Sequence, residues 1–134
     1  SDDDGLPMFP FGYGLSYTSF EYSNLVLPTK VEKNGNAEVK VTVKNTGKIK
    51  GDEVVQLYLH DEIASVVRPI RELKAFQRVT LEPGESKQLV LTLPYRSFGI
   101  WNRELKFGVE PGAFKVFIGR NAADTQLEGI IDVL

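Results

Sequence analysis

From Glu38 to Lys44 the chain alternates polar residues with Val39, Val41 and Val43, the period of a β-strand with one buried face. The rule recurs. Val55, Leu57 and Leu59 share a face with Gln56, Tyr58 and His60 opposite, and Leu89, Leu91 and Leu93 form a third set. Phe114, Val116 and Ile118 form a fourth, while Leu127, Ile131 and Val133 oppose Glu128 and Asp132 in a fifth. No window of about 11 residues carries a sustained helical stripe. Turn signals fall between the runs. Pro83-Gly84 and Pro111-Gly112 suit type II turns, and Asn34-Gly35 and Asn45-Thr46-Gly47 flank the Val39–Val43 segment. The pattern predicts an all-β, antiparallel, seven-stranded sandwich with strands near 20–27, 37–44, 53–60, 71–80, 86–93, 113–119 and 127–133. Segment 71–80 alternates imperfectly through Leu73, Phe76 and Val79, which predicts a bulge or an edge position. A further loop or hairpin is expected between Tyr95 and Glu110.

Length and composition agree with one such body. The 134 residues amount to about one domain, and 42% hydrophobic with 25% charged residues is ordinary for a globular fold. Sixteen basic against eighteen acidic side chains leave a formal charge of -2, which argues against nucleic-acid or polybasic membrane partners. Cysteine is absent, so disulfides, thiolate zinc sites and thiol nucleophiles drop out. No run approaches the roughly 20 apolar residues of a membrane span, and residues 1–20 do not read as a signal peptide. Ser1-Asp2-Asp3-Asp4-Gly5 reads as the cut end of a longer chain.

Catalytic chemistry is hard to place. His60 is the single histidine, and its neighbour Asp61 points to the opposite strand face, badly placed to orient it. Carboxylate pairs for glycoside hydrolysis must straddle a bond at about 5–10 Å, and no acid here sits in a sequence context that suggests a deep pocket. Asp2-Asp3-Asp4 lacks the spaced ligands of a calcium loop, and Gly12-Tyr13-Gly14 follows no strand-to-helix transition. No catalytic residue, metal or cofactor is therefore expected in this chain.

Two aromatic groups remain. Tyr95, Phe98 and Trp101 lie in the 95–110 excursion, where they either cap one end of the core or face a sugar or another domain. Phe9, Phe11, Tyr13, Leu15 and Tyr17 occupy every odd position of a stretch whose even positions are Pro10, Gly12, Gly14, Ser16 and Thr18. Extended, that ribbon has one bulky apolar edge and one nearly bare edge, and glycine and proline make it a poor interior strand. Its shape suits a tether between two bodies, or a strap folded back over the sandwich.

The ribbon Met8-Phe9-Pro10-Phe11-Gly12-Tyr13-Gly14-Leu15-Ser16-Tyr17-Thr18 closely resembles the junction motif of family 3 glycoside hydrolases, the β-glucosidase and β-xylosidase group. The residues beyond the ribbon resemble their C-terminal fibronectin type III-like domain. The matching stretches are Val43 to Gly47, Gly51 to Tyr58, Arg68 to Phe76, Pro83 to Ser86 and Val109 to Phe114. The similarity runs from about Leu6 to Leu134, with one small departure: Trp101-Asn102 stands where the family often has Trp followed by Asp. The resemblance implies an extended junction over residues 1–19 and a fibronectin type III-like domain over 20–134. It implies a module that comes after a barrel bearing the nucleophilic aspartate and an α/β domain, neither of which these residues include. The parent would cleave terminal β-linked sugars with retention, in the periplasm or outside the cell. The chain's partners would then be the catalytic domains of its own polypeptide, met at Phe9 to Tyr17, and an oligosaccharide at the parent's pocket. Two rival roles stay open: a carbohydrate-binding module with coplanar exposed rings, and a freestanding cell-surface interaction domain.

Overall fold

The computed structural model describes residues 18–62, 71–101 and 103–134. The ribbon residues Phe9, Phe11, Tyr13, Leu15 and Tyr17 lie outside the described residues, as do Arg68, Pro69, Ile70 and Asn102. Two sheets stack face to face. One has three strands in the order β1 (Phe20–Val26), β3 (Ala37–Asn45) and β6 (Ser86–Leu93). The other runs β2 (Lys30–Val31), β10 (Thr125–Val133), β9 (Gly112–Gly119), β4 (Gly51–Asp61) and β5 (Glu72–Leu81). Between β6 and β9 a four-residue 3-10 turn, Tyr95–Phe98, leads into a small ladder of β7 (Gly99–Trp101) and β8 (Phe107–Val109).

All seven predicted strands form, and the core is their inward faces. Val39 pairs with Leu91 and Val41 with Leu89 in one sheet, while Leu57 pairs with Ile118 and Leu59 with Val116 in the other. All of these side chains are buried. Burying each such side chain contributes about 1.5–3 kcal/mol before conformational entropy offsets most of it. The predicted edge or bulge at 71–80 is both. β5 ends its sheet, and the register steps from Leu57↔Ala75 to Tyr58↔Leu73, leaving Lys74 as the extra residue.

Three local features depart from the sequence pattern. The sheet is not wholly antiparallel, because β2 runs parallel to β10 with Asp132 opposite Lys30 and Val133 opposite Val31. Pro28 has no N–H to extend the β1 ladder, so the chain crosses to the other sheet and buries Val31. Pro83-Gly84 makes the expected turn, with Gly84 at φ 81° and a 2.9 Å bond from Glu85 N–H to the Glu82 carbonyl. Pro111-Gly112 does not, since Gly112 has φ 148°, far from the roughly +80° of a type II turn, and already opens β9 against Val133. Finally, β4 is buried on both faces. Gln56 and Tyr58, on the face away from the core, are nearly as inaccessible as Leu57, and the buried Phe117 stands directly opposite Tyr58 on β9. The Tyr58 hydroxyl donates to Gln56 Oε1, and the Arg71 guanidinium lies 3.7 Å over the Phe117 ring.

Candidate functional site: a polar clamp and an aromatic hairpin at opposite ends

His60 faces outward, with Nδ1 2.5 Å from Glu62 Oε2, whereas Asp61 is buried on the other face, the opposition expected of strand neighbours. Among the described residues no three histidine or acidic side chains converge as a metal site. A second buried acid, Glu53, joins the sheets. Its Oε2 accepts a hydrogen bond from the Tyr22 hydroxyl at 2.9 Å and from Arg120 Nε at 2.7 Å. Burial, then the Glu53 charge and hydrogen bond, hold the Tyr22 phenol far above the ordinary tyrosine range. Burial disfavours the charge on Arg120, but Coulombic attraction to Glu53 and their hydrogen bond outweigh it and raise its pKa. The Glu53 carboxylate is thus held as an ion pair between β4 and the chain leaving β9. Sequence reasoning missed this cluster, although Glu53 stands in the same odd-numbered inward series as Val55, Leu57 and Leu59.

At the same end of the sandwich the incoming chain is locked. Asn45, fully buried at the end of β3, donates from Nδ2 to the Ile49 and Leu81 carbonyls at 2.8 and 2.9 Å. Its Oδ1 accepts from Gly47 N–H at 2.9 Å and from the Thr18 hydroxyl at 3.1 Å. Thr46 N–H donates to the Ser19 carbonyl at 2.8 Å, and the Ser19 and Thr46 hydroxyls lie 2.9 Å apart. Glycine is needed at position 47, because a Cβ there would sit 1.7 Å from Thr18 Oγ1 and 3.1 Å from Ser19 N. The two residues ahead of β1 are therefore strapped to the turn after β3. Asn45-Thr46-Gly47 is legible in sequence as a turn, but its grip on Thr18 and Ser19 is not.

The 95–110 excursion is a hairpin at the opposite end, where Ala37 pairs with Leu93 and Gly112 with Val133. It separates the three rings assigned there. Phe98 is 0% exposed and meets Phe114 edge-on at 5.1 Å between centroids, so it belongs to the core and has no surface for a sugar or another domain. Tyr95 is partly buried against the same core. Trp101 is 56% exposed, and its partner is Phe107, 55% exposed, at 5.4 Å and 61° between ring planes. Phe107 lies where a side chain on Gly99 would stand, since a Cβ there would come within 2.2 Å of its ring. Leu105, 72% exposed at φ 61°, completes an apolar tip. Ile100, Phe107 and Val109 line a small hollow beside it, together with Lys106 and Glu110. Phe107 and Leu105 escaped the sequence reading because no alternation links them to Trp101 across the turn.

The relatives agree with this architecture. A family model described as "Fibronectin type III-like domain" matches residues 53–122. A β-xylosidase from Formosa agariphila is 45% identical over 95% of this chain, which covers 18% of the relative. A periplasmic β-glucosidase from Salmonella typhimurium is 44% identical over 91% of the chain, covering 16% of its own length. Among solved structures, a mutant β-glucosidase from Listeria innocua in complex with laminaribiose superposes with a TM-score of 0.81 at 40% identity. That match covers 96% of this chain and 18% of the other. The chain spans less than a fifth of the length of each relative, so in them the matched stretch is one part of a longer polypeptide. Ordered strands, a two-sheet core and this agreement together place the chain in the fibronectin type III-like domain family, in the form carried by glycoside hydrolase family 3 β-glucosidases and β-xylosidases.

Proposed function

We propose that this chain is the non-catalytic C-terminal module of a retaining, β-glucosidase-like enzyme and that it holds the catalytic domains in register. The observation that carries the reading is the asymmetry of the match: nearly all of this chain aligns with under a fifth of proteins named for their hydrolase activity. Residues 1–19 would form the junction, with Phe9, Phe11, Tyr13, Leu15 and Tyr17 as its apolar edge against the preceding domain. The relative from Salmonella typhimurium, named as periplasmic, supports a periplasmic or extracellular setting. Hydrolysis of aryl β-glucosides by the purified 134-residue chain should stay at the buffer background. Deleting residues 20–134 from the full-length polypeptide should shorten the half-life of its activity on heating. Turnover by the chain alone, or a deletion without effect on that half-life, would overturn the reading.

A second reading is carried by Trp101, whose exposed ring could stack on a sugar. Retention of the chain by a β-glucan gel, lost in Trp101→Ala, would favour it. The 61° angle between Trp101 and Phe107 counts against a flat two-ring platform.

A further inference from the structure

We infer that the β7–β8 hairpin is a docking surface for the catalytic part of the same polypeptide, so that the sandwich is attached at both of its ends. The inference rests on the proposed function and adds to it a surface, an orientation and the residues responsible. Trp101 and Phe107 are paired across the hairpin, Leu105 lies in the turn that joins them, and all three are outside both sheets and more than half exposed. Apolar tips of this kind, with Arg103, Glu104 and Lys106 around them in sequence, have the composition of an interface centre with a charged rim. The rings are also held in place. Phe107 fills the space above Gly99 and meets Trp101 edge-on, while Ile100 and Val109 root the ladder in the core. A preset aromatic pair loses little entropy on docking, which is the character of an interface anchor.

Length and geometry favour the catalytic part of the same polypeptide as the occupant. More than four-fifths of each relative lies outside the matched stretch, which leaves a large body available to cover the tip. β3 has nine residues, so at about 3.4 Å each the clamp at Thr18 and the hairpin stand about 30 Å apart. A module joined only at Thr18 would hang as a bead with its apolar tip in water. A module laid lengthwise on the catalytic body buries that tip and fixes its own direction.

The test uses two variants of the full-length polypeptide and of the 134-residue chain. Trp101→Ala combined with Phe107→Ala removes the anchor. Leu105→Asp acts in opposite senses in the two settings. Asp tolerates the left-handed backbone at φ 61° better than Leu, but it places a charge in a dry contact. In the isolated chain, circular dichroism and the unfolding midpoint should be unchanged for the double variant and unchanged or raised for Leu105→Asp. In the full-length polypeptide both should shorten the activity half-life at a challenge temperature about tenfold, equivalent to about 1.4 kcal/mol in the inactivation barrier. Unchanged half-lives beside a deletion of residues 20–134 that does shorten it would overturn the docking surface and leave the module's role standing. A deletion without effect would overturn both. Loss of β-glucan retention or of dimerisation in the variant chain, with the full-length half-life unaltered, would reassign the tip to sugar or to a second copy and overturn the inference.

Discussion

At the end where the chain comes in, every polar atom of the Asn45 side chain has a partner within the chain. At the far end Trp101, Leu105 and Phe107 hold apolar surface toward solvent. The clamp end is closed by hydrogen bonds made within this chain, which an isolated copy of the fold keeps. The hairpin end sends Ile100 into the core but leaves its rings and Leu105 outside it. On the proposed docking, stability and attachment rest on different residues of one domain, and substitutions should separate them.

The clamp should show the largest effect. Asn45→Ala strands the Leu81 and Ile49 carbonyls, the Gly47 N–H and the Thr18 hydroxyl at a buried site, which should cost about 3 kcal/mol. A urea unfolding midpoint that moved by only a few tenths of a molar would remove the contrast between the ends. Next comes Glu53→Gln, which discards the charge facing Arg120 while keeping an acceptor for Tyr22. Because the Arg120 side chain is partly exposed, the cost should be about 2 kcal/mol, below that of a fully buried broken pair.

pH sharpens the same side of the contrast. The Tyr22 phenol has an ordinary value of 10.0 and is held above it in the fold, so above pH 10 the unfolded chain releases this proton while the folded chain keeps it. Stability from Tyr22 is complete below pH 10 and should fall by about 1.4 kcal/mol per pH unit above it. Denaturant melts from pH 9 to 11.5 should show the fall, and Tyr22→Phe should make it shallower. Asp52 gives the opposite sign on a smaller scale. Hydrogen bonds from Arg78 at 2.6 Å and Thr80 at 2.7 Å hold its carboxyl below the usual 3.8. Its contribution is present above pH 4 and is lost as pH falls through the lowered value. The pair is solvent-exposed, so Asp52→Asn should flatten the acid limb only slightly, and less still in high salt.

The strands were legible because a half-buried sheet writes its geometry into the sequence every second residue, and Val39-Val41-Val43 could hardly serve another fold. The irregular rhythm of Leu73, Phe76 and Val79 likewise marked a strand with one residue too many. What stayed hidden depends on contacts between distant residues. Nothing local to Thr18 says that Gly47 leaves room for its hydroxyl, and nothing local to Glu53 names Arg120, 67 positions away. Phe98 and Trp101 look alike in sequence, yet one fills the core and the other stands in solvent, because the extended chain through Gly99–Trp101 puts Phe98 and Ile100 on the buried side and Trp101 on the opposite one. Leu105 at φ 61° gives no warning either, since that backbone is where Asn, Asp or Gly is expected.

The smallest expected effect is the most diagnostic for the contrast itself. Trp101 is the only tryptophan in the chain, its ring contact is with Phe107, and neither belongs to the two stacked sheets. Trp101→Ala in the isolated 134-residue chain should therefore change unfolding free energy by no more than about 0.5 kcal/mol, as for substitutions away from a core. In the unsubstituted chain the indole should be readily quenched by acrylamide before as well as after unfolding. A loss approaching the Asn45→Ala value would mean that the hairpin braces the sandwich from below, and its exposed rings would then be structural residues at the margin of the core.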